Sequence, residues 1–367
     1  MLNRKTPKIC LIGESLANGG AEKAMALLSQ FFHSKGIGVH NVIVLDQITY
    51  DYSGQLLNLG KMKNTANGPL NKLKRFLALR KFLRQHRFDF IIDFRVRVSF
   101  LQEYFISKVL YNAPTIYTVH SAMTDLYFPK NKKCAHLVYK NAFAVVAVSD
   151  VVAEIIRKKY GLDNVSTMHN PIDIRNIEKW ADAFVPAEEH YILAAGRMND
   201  DVKQFDKLIA AYANSGLPAQ DISLVILGDG SNLPTLKKLA MRSGVEAQIV
   251  FKGRVDNPFP YMKHAKFFVL SSRREGLPTV ILESLACGKP VVSFDCVSGP
   301  SEMIAHERNG LLVTDQDFNA LTEAMNRMAS DEKLYTACCE GAKPSVQSFS
   351  LENIGRQWLE FLKINVS

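Results

Sequence analysis

Short apolar runs of strand length alternate with helix-spaced segments along nearly the whole chain, and the alternation stops and restarts once. The first set of runs lies at 8–13, 40–45, 88–94, 114–119, 143–148 and 165–168, with helical patterning at 21–34, 70–85, 99–110 and 151–160. The second set lies at 191–195, 222–227, 248–251, 266–270, 290–294 and 310–313, again with helices between. Strands that alternate with helices pair in parallel through right-handed crossovers, so each set predicts one parallel sheet. At 367 residues the chain is long for one domain and comfortable for two. The expectation is α/β, with two Rossmann-like doubly wound domains at 1–175 and 190–346. A charged stretch containing Pro186, 176–189, reads as the linker. The tail 347–367 carries Ile354, Trp358, Phe361 and Leu362 and reads as a terminal helix.

Charge narrows the partners. The chain has 45 basic and 36 acidic residues, and the excess is local. Between Asp51 and Asp89 there is no acidic residue, against nine basic ones: Lys61, Lys63, Lys72, Lys74, Arg75, Arg80, Lys81, Arg84 and Arg87. The helix at 70–85 places Leu73, Phe76, Leu77 and Leu83 on a core face, although Arg80 and Arg84 fall in the same arc. Two readings stay open for 61–87. One is an ordinary crossover helix with a solvated basic side. The other is a docking surface for an anionic membrane, where each basic residue contributes about 1 kcal/mol. Nucleic acid would call for exposed aromatic residues on a broad basic face, whereas the Phe residues here sit at core positions. Six scattered cysteines without a Cys-x-x-Cys read as reduced, packed thiols of a cytoplasmic protein. No run reaches the ~18 apolar residues of a spanning helix, and 8–12 is a strand rather than a signal-peptide core.

The densest chemistry lies at 270–302. Arg274-Glu275-Gly276-Leu277-Pro278 leaves an apolar strand, and Pro278 suits the first position of a helix, where its missing N–H costs nothing. Glu275 and Glu283 stand with seven residues between them, one in the loop and one two turns into the helix. The N–H groups of Gly276, Leu277 and Thr279 surround the helix N-terminus, a natural anion site. A nucleotide sugar fits: diphosphate on the amides, one carboxylate on sugar hydroxyls, the other on ribose hydroxyls. Further glycine loops follow strands at Gly19-Gly20 and at Gly228-Asp229-Gly230, and neither has the G-x-G-x-x-G of dinucleotide enzymes.

The Glu-Gly-Leu-Pro start, the carboxylate spacing, the strand entry Gly288-Lys289-Pro290-Val291-Val292 and the segment Gly299-Pro300-Ser301-Glu302 together resemble the retaining glycosyltransferases of family 4 (glycosyl transferases group 1). The resemblance implies the GT-B fold, with two domains facing a cleft and the C-terminal helix crossing back onto the N-terminal domain. It implies that Arg197 and Lys203 hold the donor diphosphate, with Asp200 and Asp201 placed to steady Lys203. The family commonly has glycine after that lysine; here it is Gln204. The Gly19-Gly20-Ala21-Glu22 turn would offer amides to the diphosphate, and Glu22 is either part of that motif or a first-turn acid on the helix dipole. Gly253-Arg254-Val255 would pack the nucleobase, and His120, ending the strand at 114–119, would lie near the reacting anomeric carbon and the donor phosphate. Ser298 to Glu302 would shape the donor pocket and support Glu283.

The catalytic set is therefore His120, Glu275, Arg197 and Lys203. The nucleotide-binding set is Gly19, Gly20, Arg197, Lys203, Gly253, Arg254, Val255, Glu275, Gly276, Leu277, Pro278, Thr279 and Glu283. No metal or other cofactor is expected, since the two cations and the helix amides carry the phosphate charge. The implied reaction is retaining transfer of a hexose or N-acetylhexosamine from a nucleotide sugar, UDP-linked and galactose-type favoured, to a glycan or polyprenyl-linked acceptor. The setting would be cell-surface polysaccharide or lipopolysaccharide biosynthesis, in the cytoplasm or peripherally on the inner face of the plasma membrane. The alternatives are another GT-B enzyme, hydrolase or phosphorylase-like, and a non-catalytic protein that binds anionic surfaces.

Overall fold

The computed structural model describes residues 6–64 and 68–365. The chain divides into two units: Met1–Pro171 with Leu351–Ser367, and Ile172–Ser350.

The first unit holds a parallel sheet of β1 (Lys8–Gly13), β2 (Gly38–Ile43), β3 (Gln55–Asn58), β4 (Phe90–Asp93), β5 (Thr115–Val119), β6 (Ala144–Ala147) and β7 (Val165–Thr167). Their spatial order is β3-β2-β1-β4-β5-β6-β7. Residues such as Ile9, Leu11, Val42, Ile92 and Val145 are buried, as strands covered on both faces require. β3 is absent from the sequence expectation. It is four residues at the sheet edge with no fully buried side chain, so it carries no apolar signature. Pairing with β2 defines it, and Gly54 permits the approach: at φ +93° a Cβ there would lie 2.2 Å from the Val39 carbonyl oxygen.

The terminal helix Leu351–Phe361 belongs to this first core. Ile354, Trp358 and Leu359 are buried with Phe31 and Phe32 of the helix Gly20–Ser34. Gly355 rides directly on the Phe31 ring, where a Cβ would come within 2.5 Å.

The helix Pro69–His86 corrects the expected core face. Leu79 and Leu83 are buried, whereas Leu73 and Leu77 are half exposed. The helix rests on the sheet through Leu79 and Leu83, so Leu73, Leu77 and Arg84 of the expected arc are exposed. Arg80, on the flank of that arc, is half-buried with its Nε out of reach of solvent. Residues 65–67 of the basic segment lie outside the described residues.

The second unit holds β8 (Tyr191–Ala195), β9 (Ser223–Leu227), β10 (Ile249–Gly253), β11 (Phe268–Leu270), β12 (Val291–Phe294) and β13 (Gly310–Val313), in the order β10-β9-β8-β11-β12-β13. The stretch expected as a linker instead begins with a helix, Ile174–Ala181, whose N-terminus is capped by Asp173 accepting from the Asn176 N–H at 3.1 Å. Ile177 and Ala181 are buried, and Asn257 donates to the Trp180 carbonyl at 2.9 Å, so this helix is part of the second unit. Its charged outer face gave the stretch a linker-like composition.

In both sheets the strand order reverses once, between β1 and β4 and between β8 and β11. In open α/β sheets the crevice outside the strand C-termini at that reversal is where ligands bind.

Candidate functional site

At the reversal point of the second sheet, β8 runs out at Ala195 into Gly196-Arg197, and β11 runs out at Leu270 into Ser271. The neighbouring strand ends are stitched in a row. The Gly196 N–H donates to the Leu227 carbonyl at 3.0 Å, and the Gly228 N–H donates to Gly253 at 2.8 Å. Gly228 needs φ +129°, and a Cβ there would sit 1.9 Å from the Gly196 oxygen. The loop 228–230 is therefore structural to this row, which brings Gly253 into line with Gly196.

Lys203 and Glu275, far apart in sequence, meet here: Lys203 Nζ donates to Glu275 Oε1 at 2.7 Å. Two contacts position the lysine. Ser271 Oγ donates to its carbonyl at 2.7 Å, and its aliphatic stem lies over Gly196, where a Cβ would approach Cγ and Cε to 2.9 Å. Asp200 and Asp201 do not steady it. Asp200 accepts from the Val202 N–H at 3.1 Å, and Asp201 faces Arg273 at 3.5 Å. Arg197 is exposed and has no hydrogen-bond or ion-pair partner among the described residues.

Pro278 precedes the helix Thr279–Ala286 as its cap residue rather than as its first helical position. The loop before it is braced from below: Ser298 Oγ donates to the Gly276 carbonyl at 2.7 Å, and Gly299, at φ +98°, packs where a Cβ would lie 2.5 Å from Pro278 Cδ. The N–H groups of Gly276, Leu277 and Thr279 have no partner among the described residues and sit at the positive end of the helix. Glu283 is the fifth helical residue, a turn into the helix rather than two, and is buried. Arg254 is exposed beyond the end of β10.

Gln204 takes a left-handed backbone, φ +49° and ψ +42°, just before the helix Phe205–Ala213. That conformation explains a glycine preference at this position. The Gln204 side chain is 2% exposed, and neither its amide oxygen nor its amide nitrogen has a partner among the described residues. Gln204→Gly relieves the backbone strain and removes two orphaned polar atoms, against the loss of side-chain packing. The expected net gain is about 1 kcal/mol, read as a thermal midpoint higher by ~2–4 °C. A lower midpoint would mean that the side chain fills space worth more than the strain it causes.

The chain contains one Asp-x-Asp, Asp315-Gln316-Asp317, a spacing able to hold a divalent cation. Asp317 is spent as a helix cap, accepting from the Ala320 N–H at 2.9 Å, and Asp315 accepts from Gln316 at 3.0 Å. Among the described residues no three His, Cys, Asp or Glu side chains cluster as a metal site.

His120, Gly19 and Gly20 belong to the first unit, and the rest of the expected set belongs to the second. Gly19 is the cap residue of the helix Gly20–Ser34, and the Glu22 carboxylate folds back over it: a Cβ on Gly19 would lie 2.0 Å from Glu22 Oε2. Glu22 thus occupies the helix N-terminus that the diphosphate was expected to use.

His120 leaves the end of β5 beneath a buried charge network that the sequence reading missed. Arg95 grips Asp93 with Nε at 3.1 Å and Nη2 at 2.7 Å, and reaches Glu103 at 2.9 Å. Tyr111 donates to Asp93 at 2.8 Å. Arg97 is wholly buried among the rings of Tyr117, Tyr127 and Tyr139, and donates to the Asp93, Arg95 and Thr118 carbonyls. The visible signal was Asp93-Phe94-Arg95-Val96-Arg97, three charges at alternate positions directly after an apolar strand. The network ends at the histidine. The Thr118 hydroxyl donates to the Asp93 carbonyl at 3.1 Å, so it accepts from His120 Nε2 at 2.9 Å, which leaves Nδ1 as the unprotonated nitrogen. Burial, with the Arg97 charge second, pushes the ring down to about 3, so it is neutral across the physiological range.

Comparison with known proteins bears on both units. Residues 18–176 match the family described as Glycosyltransferase Family 4, and residues 176–344 match Glycosyl transferases group 1. The chain is 29% identical over 359 residues to the N-acetylgalactosamine-N,N'-diacetylbacillosaminyl-diphospho-undecaprenol 4-alpha-N-acetylgalactosaminyltransferase of Campylobacter jejuni, covering 95% of this chain and 97% of that one. It is 26% identical over 368 residues to a second enzyme of that organism, the GalNAc-alpha-(1->4)-GalNAc-alpha-(1->3)-diNAcBac-PP-undecaprenol alpha-1,4-N-acetyl-D-galactosaminyltransferase, covering 97% and 98%. Among solved structures, Anabaena HepE in complex with UDP and glucose superposes with a TM-score of 0.79 at 20% identity, covering 97% of this chain and 99% of that one. A glycosyltransferase from Rickettsia africae does so with a TM-score of 0.78 at 19% identity, covering 98% of each. These likenesses establish the GT-B fold expected from the sequence.

Proposed function

In a chain that belongs to the group 1 glycosyltransferases, we propose that the second unit binds a UDP-sugar and that its hexose or N-acetylhexosamine is transferred, with retention, to a lipid-linked glycan. Glycosyl transfer in glycoconjugate biosynthesis is common ground with the relatives. The observation that carries the finer reading is the Lys203–Glu275 pair at the strand reversal, beside three unpartnered amides at a helix N-terminus.

The diphosphate oxygens accept from the amides of Gly276, Leu277 and Thr279 and from the Arg197 guanidinium. Lys203 has three donors, so Nζ keeps Glu275 while adding a bond to phosphate. Glu275 holds sugar hydroxyls, Glu283 the ribose, and the backbone at Gly253-Arg254-Val255 the base. As the bond from the anomeric carbon to the diphosphate breaks, negative charge grows on the leaving oxygen, where these fixed donors already point. The acceptor oxygen bonds to that carbon on the same face, and its proton leaves with the diphosphate. No metal is required in this scheme. We assign His120 a hydrogen-bonding role rather than proton exchange, because a ring pushed down to about 3 stays neutral at neutral pH and is too weak a base to take up a proton there.

UDP is favoured because HepE has been solved with it, and a galactose-type sugar because both Campylobacter relatives are named for N-acetylgalactosamine. Those names also specify undecaprenol-linked acceptors, which would hold the enzyme at a membrane face. No helix among the described residues is long and apolar enough to cross a membrane, so we place it there peripherally.

The test is the thermal midpoint with UDP, GDP and ADP, each with and without EDTA. A ligand at 100 times its Kd stabilises the native state by about 2.7 kcal/mol. The expected outcome is a rise with UDP alone, unaffected by EDTA. No rise with any nucleotide would remove the donor site, and a rise abolished by EDTA would make the reaction metal-dependent.

A further inference from the structure

Two helices of the first unit present an apolar face that nothing else among the described residues covers. The helix Pro69–His86 is seated on its sheet by Leu79 and Leu83, yet its outer side carries Leu70, Leu73 and Leu77, at i, i+3 and i+7. The helix Phe100–Phe105 continues as a wider π-helical turn, Ile106–Leu110, and together they expose Leu101, Phe105 and Val109 at i, i+4 and i+8. Leu70 is 83% exposed and Leu101 75%, values far above those of a side chain packed at a seam. The Phe76 and Phe105 rings lie 5.0 Å apart, so the two rows adjoin.

The same surface is cationic and lacks accessible carboxylates. Lys74, Lys81 and Arg84 are exposed beside that row on the first helix, and Lys108 is exposed on the second. The first helix has no acidic residue. The one acid between 100 and 110, Glu103, is turned inward and buried on Arg95 at 2.9 Å.

We infer that this two-helix face is a peripheral membrane anchor that inserts its leucines and Phe105 into one leaflet of an anionic bilayer. The apolar rows bury at the boundary of headgroups and acyl chains, while the lysines and Arg84 extend to lipid phosphates. Exposed apolar patches of this kind mark interaction sites, and the uniform positive rim selects the occupant. A second copy of this chain would set like charges against each other across a two-fold contact, with no carboxylate to neutralise them. The anchor draws on no residue of the second unit, so it stands or falls apart from the donor site.

The experiment is co-sedimentation of the full chain with phosphatidylcholine vesicles, with and without phosphatidylglycerol. The wild type is compared with Leu73→Gln/Leu77→Gln/Leu101→Gln, positions exposed enough to leave the thermal midpoint unchanged. The wild type is expected to partition onto phosphatidylglycerol vesicles, and the triple variant at least about tenfold less. Part of the wild-type binding should survive about 1 M salt, because apolar insertion is not screened. The midpoint shift with UDP should be equal in both proteins, which separates failure of the anchor from failure of the donor reading. Absence of wild-type binding, or equal binding by the variant, overturns the anchor. So does a wild-type dimer that the triple substitution converts to monomer, since a second copy would then cover the face.

Discussion

Glu275→Gln is expected to leave the fold and UDP binding intact while transfer falls by about 10²–10³-fold. The amide matches the carboxylate in size, so the loop braced by Ser298 on Gly276 is kept. What is lost is the charge that meets Lys203 at 2.7 Å and the anionic acceptor for sugar hydroxyls. Lys203, no longer shared, turns wholly to the diphosphate, so UDP affinity holds or tightens. The loss therefore falls in kcat. The measurement is UDP released from UDP-N-acetylgalactosamine with a lipid-linked acceptor, beside the midpoint shift given by UDP alone. Wild-type turnover would remove Glu275 from the reaction. Loss of UDP binding in step with turnover would make the ion pair a structural clamp instead.

The largest stability effect is expected at Asp93. Asp93→Asn keeps the shape but leaves Arg95 and Arg97 buried with Glu103 as the one carboxylate still in ion-pair contact among the described residues, and Glu14 acting on Arg95 from farther off. Breaking a buried pair from one side costs about 3–5 kcal/mol, which corresponds to a midpoint for the first unit lower by ~10 °C. Burial alone would raise the Asp93 carboxyl, but the Arg95 and Arg97 charges outweigh it and hold the group below the usual carboxylate range. A carboxyl lower in the folded than in the unfolded chain stabilises the fold fully above about pH 4 and loses that contribution as pH falls through its folded value. The wild-type midpoint should therefore drop in acid below about pH 4, with that component missing from Asp93→Asn. Equal melting of the two proteins at neutral pH would show that the arginines do not depend on Asp93.

The candidate site was legible in unequal parts. The loop from Glu275 to Thr279 could be read directly, because a glycine–proline turn entering a helix is determined by residues that touch along the chain. The neighbours of Lys203 could not. Asp200 and Asp201 are close in sequence and were expected to steady it, whereas the contact formed with Glu275, 72 residues on. Gln204 was visible as a departure from glycine, but its cost became clear only from a backbone at φ +49° around a buried, unpartnered amide. The charges at 93, 95 and 97 stood in plain alternation, yet nothing local shows that two arginines will be buried together.

The helix Pro69–His86 shows the same limit in packing. Its leucines form two apolar arcs, and periodicity cannot say which one meets the sheet; contact through Leu79 and Leu83 decided it and left Leu70, Leu73 and Leu77 outside. The sequence by itself determined the alternation of strands and helices, their parallel pairing and the anion-binding helix start, since each follows from propensity, period and turn chemistry over a few residues. Only the tertiary structure decided the strand order that puts Arg197, Lys203 and Glu275 at one reversal point, the edge strand β3, and the face each helix turns outward. Those outcomes depend on which distant surfaces exclude water together, a free energy that belongs to the assembled core and to no single segment.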